Sequence, residues 1–234
     1  LSHGHYDHTG GVPALLTKLK KKTPVYIGKE FFLPKYKLLE DGSYKYNGTP
    51  FEKEQLTDNA MAEPYYIEDV GDYQIAFVGI STPETITKST PEFFKDENGN
   101  FIYGFPVYPG GMTNEILYEN IQESVDEAKG NGADIVVAVG HIGITETTDG
   151  WKSTDIVANT DGIDYFIDAH SHQTIVEEAY KNQNNEDVII TSTGTKFANF
   201  GVLTIHGDND VDFELVDPDT IDIDTMSAAA KTAY

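Results

Sequence analysis

Two stretches, "DIVVAVGHIGI" at 134–144 and "IDYFIDAHSHQT" at 163–174, each run an apolar segment of strand length directly into histidine. Continuous apolarity, without the polar alternation of a half-exposed strand, marks strands buried on both faces of a sheet. A further run of the same kind, "YQIAFVGI" at 73–80, precedes them and is the first of the three in chain order. Between the first and second runs, Ile116, Leu117, Ile121 and Val125 form a helical stripe, with Thr113 as predicted N-cap and Gly130 as stop. Between the second and third, "STDIVANT" at 153–160 predicts a short helix opened by Ser153. The order is βαβαβ, which predicts parallel pairing, a sheet covered on both faces, and an α/β fold.

Outward from this core the signals weaken. "TIVEEAY" and "EDVIITST" flank an Asn-rich turn at 182–185, and "GVLTIHG" and "VDFELV" flank Asp208-Asn209-Asp210, so two C-terminal β-hairpins are expected. Toward the amino terminus, "GVPALLTKLKKK" at 11–22 reads as an amphipathic helix and "PVYIG" at 24–28 as a buried strand. Asp41-Gly42 and Asn47-Gly48 are turn signals, and no long element is expected between them and residue 65. The tail from Asp217 is acidic and then alanine-rich.

Composition narrows the function classes. The 234 residues are 39% hydrophobic and 24% charged, enough for one good core or two small ones, and no apolar run reaches the length of a membrane span. With 39 acidic residues against 16 basic ones, the formal charge of −23 repels nucleic acid and anionic lipid. Every basic residue is Lys, so any phosphate must be held by metal, Lys or backbone amides rather than by a guanidinium fork. Cysteine is absent, which leaves His, Asp, Glu and Asn as metal ligands. The chain opens on Leu1 without an initiating Met or an export signal, which predicts a preceding segment.

The charge is uneven: residues 1–60 carry a net +2 and the remainder −25, which predicts a junction near residue 60. The predicted organisation is therefore a fragment over 1–60, a larger part over 61–216 and a tail over 217–234.

The seven histidines cluster. His3, His5 and His8 lie with Asp7 in "SHGHYDHTGG", four candidate ligands within six residues. His141, His170 and His172 follow the second and third strand runs, where the carboxyl ends of parallel strands open onto one crevice. Gly140 and Gly143 allow close backbone approach beside His141, and Ser171 lets His170 and His172 diverge toward two metals. Lys196 and Asn199, in a glycine-rich turn after a strand, are weaker candidates for substrate contact at the same crevice. Trp151 reads as a half-buried aromatic, and His206 as structural.

"LSHGHYDHTGG" and the elements after it resemble the metallo-β-lactamase-fold hydrolases over residues 1 to about 58. The resemblance implies that His3 and His5 bind one metal and Asp7 and His8 a second, with Asp7 taking the catalytic part if this site functions. Residues 9–140 contain no further His to complete such a site.

"PYYIEDVGDYQIAFVGISTPET", "KSTPEFFKDENGN", "VVAVGHIGI", "IDYFIDAHSHQT" and "TSTGTKFANFGVLTI", in that order, resemble the 5′-nucleotidase and cyclic-phosphodiesterase branch of the calcineurin-like metallophosphoesterases, from Pro64 to Ile205. The resemblance implies that His141 and His170 share one ion and that His172 holds its neighbour. It implies two divalent metal ions, zinc, manganese or similar, and a small phosphate ester such as a nucleotide as substrate. Ala169 stands where that family often has Gly. The family's Asp-x-His, Gly-Asp and Gly-Asn-His-Glu segments and its nucleotide-gripping domain do not appear, so the metallophosphoesterase-like part is expected to be incomplete and its activity impaired. The alternatives are a lactamase-fold hydrolase fragment and a non-catalytic, metal-binding fusion. Both families include exported members, which favours an extracellular or cell-surface setting.

Overall fold

Along Tyr73–Ser81 successive side chains alternate between two apolar environments, and the main sheet is built outward from this strand. The computed structural model describes residues 36–38, 44–46, 49–51, 64–88, 91–101, 104–206 and 211–220. The expected helix at 11–22, the strand at 24–28 and the tail beyond 220 lie outside the described residues.

Three short strands, β1 (Tyr36–Leu38), β2 (Tyr44–Tyr46) and β3 (Thr49–Phe51), form an antiparallel sheet in that order. Tyr46 pairs with Thr49 on either side of the Asn47-Gly48 turn signal. The main sheet has the order β4-β5-β6-β7-β9-β8, from β4 (Tyr65–Val70), β5 (Tyr73–Ser81), β6 (Ile135–His141), β7 (Tyr165–Ile167), β8 (Thr174–Lys181) and β9 (Asp187–Thr193). The pairs β5–β6, β6–β7 and β7–β9 are parallel, whereas β4 and β8 close the two edges antiparallel. A separate hairpin joins β10 (Phe200–Ile205) to β11 (Val211–Val216). Both predicted hairpins are present, β8–β9 and β10–β11.

Three α-helices accompany these strands among the described residues: α1 (Thr85–Lys88), α2 (Glu115–Gly130) and α3 (Ser153–Ala158). Ile116, Leu117, Ile121 and Val125 of α2 and Ile156 and Val157 of α3 join one core with Ala76, Val78 and Ile80 of β5, Val136 and Ala138 of β6, and Phe166 of β7. Two crossovers that advance in the same direction along a sheet with the same hand place their helices on one face, which is why α2 and α3 share it. The sequence predicts cover on both faces. The second face is packed by a smaller cluster, Ile75, Ile135 and Val137, against which Phe77, Tyr165 and Ile205 of β10 lie.

Helix α3 opens on Ser153 as expected, whereas the N-cap of α2 lies one residue past the expected Thr113. Asn114, not Thr113, is the N-cap of α2, and it makes no side-chain cap bond because its side-chain oxygen accepts from Trp151 Nε1 at 2.9 Å. Lys152 is the N-cap before Ser153 in α3; Asp155 Oδ2 accepts from the Lys152 amide at 3.1 Å, while the buried Ser153 hydroxyl donates to the Gly143 carbonyl at 3.3 Å. Ser153 serves tertiary packing, and the acid one turn later satisfies the helix start.

Phe166 is fully buried at the centre of the core, and a methyl on Gly140 would stand 2.5 Å from its ring. Phe166→Ala is expected to lower the unfolding free energy by about 3–5 kcal/mol. Urea unfolding followed by circular dichroism measures it; a loss below about 1 kcal/mol contradicts this packing.

Candidate metal centre

Parallel pairing brings the carboxyl ends of β5, β6 and β7 to one edge, and Ser81 stands in register with His141. From these ends come Glu84, three residues past β5, His141, the last residue of β6, and His170, three residues past β7. Their side chains form a chain of contacts. Glu84 Oε2 lies 3.0 Å from His170 Nε2, and His170 Nδ1 lies 3.0 Å from His141 Nε2. The two imidazole rings are crossed, with centroids 4.8 Å apart and planes at 69°.

Two buried carboxylates hold the loops that carry these groups. Asp168 is 5% exposed, and its Oδ1 accepts the amides of Ile142 at 3.2 Å, Gly143 at 3.1 Å and Ala169 at 2.8 Å. It thereby fastens the segment after His141 to the segment before His170. Burial raises its carboxyl above the ordinary aspartate range, against the lowering pull of Ser153 and the three amides. Glu84 is also 5% exposed. Its Oε1 accepts from the Thr148 amide at 3.0 Å and the Thr148 hydroxyl at 2.8 Å, which ties the loop after β5 to the loop after β6. Burial opposes ionisation of Glu84, yet the hydrogen bonds from His170 and Thr148 outweigh it and hold the carboxyl below the ordinary glutamate range.

The backbone is strained where the site is made. His170 has φ +78° and His172 φ +56°, left-handed conformations that cost a residue with a Cβ on the order of 1–3 kcal/mol. Ala169, which stands where the resembled family often has Gly, is not left-handed, so the strain falls on the histidines themselves. Gly143 has φ +89°, and a Cβ there would lie 2.6 Å from Thr147 Oγ1 and 3.3 Å from His170 Cδ2. The expected close approach beside His141 is therefore present at both Gly140 and Gly143.

Of the candidates named from sequence, His141 and His170 are brought together, while His172 is exposed. Lys196 is exposed on a left-handed turn, and Asn199 gives its amide to the Thr193 carbonyl at 3.2 Å. That turn follows β9, which runs parallel to β7, and so lies at the same sheet edge as the histidines. Trp151 is half-buried against Tyr108 and held by Asn114, and His206 pairs with Asp212 at 2.9 Å. His3, His5, Asp7 and His8 lie outside the described residues. Sequence reasoning missed Glu84 and Asp168. The available signal was an acid next to the end of an apolar run, in "STPET" and in "FIDAH".

As to a metal, two imidazole nitrogens 3.0 Å apart are close to the spacing of neighbouring ligands on one ion with bonds of about 2.0–2.1 Å. The carboxylate behind His170 is the outer partner that metal-binding histidines usually have. Among the described residues, no group of three His, Asp or Glu side chains is arranged to hold a metal. The described residues fit an ion as a pair of ligands.

The sequence of residues 1–141 matches the metallo-beta-lactamase superfamily, a match that takes in the His3–His8 segment and ends on His141. No curated protein matches the chain. In fold, the chain is similar to a 5′-nucleotidase precursor from Thermus thermophilus, with TM-score 0.51 and 19% identity over 68% of this chain and 30% of that one. It is similar to the NAD nucleotidase of Haemophilus influenzae, with TM-score 0.52 and 16% identity over 88% of this chain and 32% of that one. A sulfate thiohydrolase, SoxB of Thermus thermophilus in complex with glycerol, gives TM-score 0.50 and 20% identity over 67% and 25%. At these identities the likeness is one of fold, and the chain spans less than a third of the length of each structure.

Asp168→Ala leaves the buried amides of Ile142 and Gly143, at about 1–3 kcal/mol each, and the half-buried amide of Ala169 without this acceptor. The variant is expected to lose about 3 kcal/mol or more in chemical denaturation, and the amides of Ile142, Gly143 and Ala169 are expected to exchange faster with deuterium. Unchanged protection of these amides contradicts the role given to Asp168.

Proposed function

The chain belongs to the metallo-beta-lactamase superfamily, and from that premise we propose that it is a divalent-metal-dependent hydrolase of small phosphate esters of the nucleotide type. The observation that carries this reading is the convergence of His141 Nε2 and His170 Nδ1, 3.0 Å apart, at the carboxyl edge of a sheet with the fold of metallophosphoesterases. His141 and His170 hold one ion, and His172 is assigned to a second. Zinc or manganese suits the imidazole donors. When bound, such ions polarise phosphoryl oxygens and supply a water-derived nucleophile at neutral pH.

The chain's own residues prepare the site. Asp168 keeps the two ligand-bearing loops in register through backbone amides. Glu84 fixes the His170 ring, and Gly143 lets the loop after β6 pass close to it. The net charge of −23 disfavours long polyanions, which supports a small ester over nucleic acid. Lys196 and Asn199 are the proposed substrate contacts, at the same sheet edge. Turnover is expected to be low, because the sequence carries no counterpart of the bridging carboxylate or of the leaving-group acid of the resembled family. Each such element contributes about 10²-fold or more.

A second reading has its own support. The family match covers His3, His5, Asp7 and His8, so hydrolysis at that motif is the alternative.

With Mn²⁺ or Zn²⁺ added, the protein is expected to hydrolyse a chromogenic phosphate ester slowly, and His170→Ala is expected to abolish the activity, while His5→Ala and Asp7→Ala change it little. Metal content per chain, measured on the same proteins, is expected to fall with His170→Ala. Loss on His5→Ala or Asp7→Ala, with His170→Ala harmless, would transfer the function to the amino-terminal motif.

A further inference from the structure

We infer that Glu84 is a positioning residue for His170: anchored on Thr148, its carboxylate grips the imidazole at Nε2 and leaves Nδ1 turned, as a lone pair, toward His141. The use of that lone pair rests on the metal reading above, whereas the grip itself belongs to the protein without metal.

Glu84 is held on every side that matters. Its amide donates to Thr82 Oγ1 at 3.2 Å, and its carbonyl accepts from the Lys88 amide at 2.7 Å, so the backbone is fixed at the start of α1. A side chain only 7% exposed takes a carboxylate out of water, which is tolerated where its oxygens find donors. They do. Oε1 receives two hydrogen bonds from Thr148, one of them from a backbone N–H that can only donate. That requirement keeps one carboxylate oxygen on Thr148. Oε2 is left facing the ring 3.0 Å away, flanked by the Lys88 ammonium at 3.9 Å. An acceptor there selects the imidazole tautomer with hydrogen on Nε2, and so sets the Nδ1 lone pair on the side where His141 lies. His170 needs this hold because its backbone sits at φ +78°, a conformation that the surrounding contacts must maintain.

Glu84→Gln is a sharp test because the Thr148 amide still demands an oxygen. The new amide therefore turns its NH₂ group toward the ring, where it favours the opposite tautomer and caps Nδ1 with hydrogen. Histidine ¹⁵N NMR of the metal-free protein is expected to show His170 as the Nε2–H tautomer in wild type and as Nδ1–H in Glu84→Gln. Titration with Co²⁺ is expected to show a roughly 10- to 100-fold weaker affinity in the variant. Thr148→Val, which keeps the backbone N–H and loses the hydroxyl, is expected to keep the wild-type tautomer and serves as the control for loosened packing. A wild-type Nδ1–H tautomer, or a Glu84→Gln protein with unchanged tautomer and Co²⁺ affinity, overturns the inference. Wild-type protein that binds no Co²⁺ yet shows the tautomer exchange overturns the metal reading and upholds the grip of Glu84.

Discussion

A single buried carboxylate oxygen, Asp168 Oδ1, accepts three backbone amides from two different loops, and the candidate site depends on that junction. Parallel strands bring loop ends to the same edge but do not fix how those loops lie on one another. Asp168 fixes it for the segments that follow β6 and β7. Glu84 then adds the loop after β5, through Thr148 on one oxygen and His170 on the other. Two acids that would be costly alone in a core each accept three hydrogen bonds, and together they link three loops.

The strain at His170 is held in place by this arrangement. A left-handed histidine is disfavoured as an isolated choice, and it persists only where neighbours over-determine the chain path. Those neighbours are the Asp168 junction before it, Glu84 against its ring, and Gly143 beside it. What the strain achieves is an orientation: His170 Nδ1 faces His141 Nε2 across 3.0 Å instead of pointing to solvent.

Much of the core was legible in the sequence, because a strand buried on both faces leaves an unbroken apolar run. The runs at 73–80, 134–140 and 163–169 became β5, β6 and β7, and the stripe from Ile116 to Val125 became the buried face of α2. The third run shortened to Tyr165–Ile167, with a buried or half-buried acid at each end accepting backbone amides, Asp164 from Val136 and Asp168 from Ile142 and Gly143. His141 and His170 were legible from their place after apolar runs. Glu84 and Asp168 were not, since an acid in a sequence is usually a solvated one and only the fold reveals the donors that surround it. The N-cap of α2 falls on Asn114, one residue past Thr113, and Asn114 uses its side chain on Trp151, a distant partner that no local rule anticipates.

The central claim is that His141 and His170 together hold a divalent ion at the carboxyl edge of the sheet. Anomalous diffraction at the metal edge from crystals grown with Zn²⁺ or Mn²⁺ tests it most directly. The account predicts an anomalous peak within bonding distance, about 2.0–2.3 Å, of both His141 Nε2 and His170 Nδ1. A peak confined to His3, His5, Asp7 and His8, with the His141–His170 hydrogen bond intact, would contradict it.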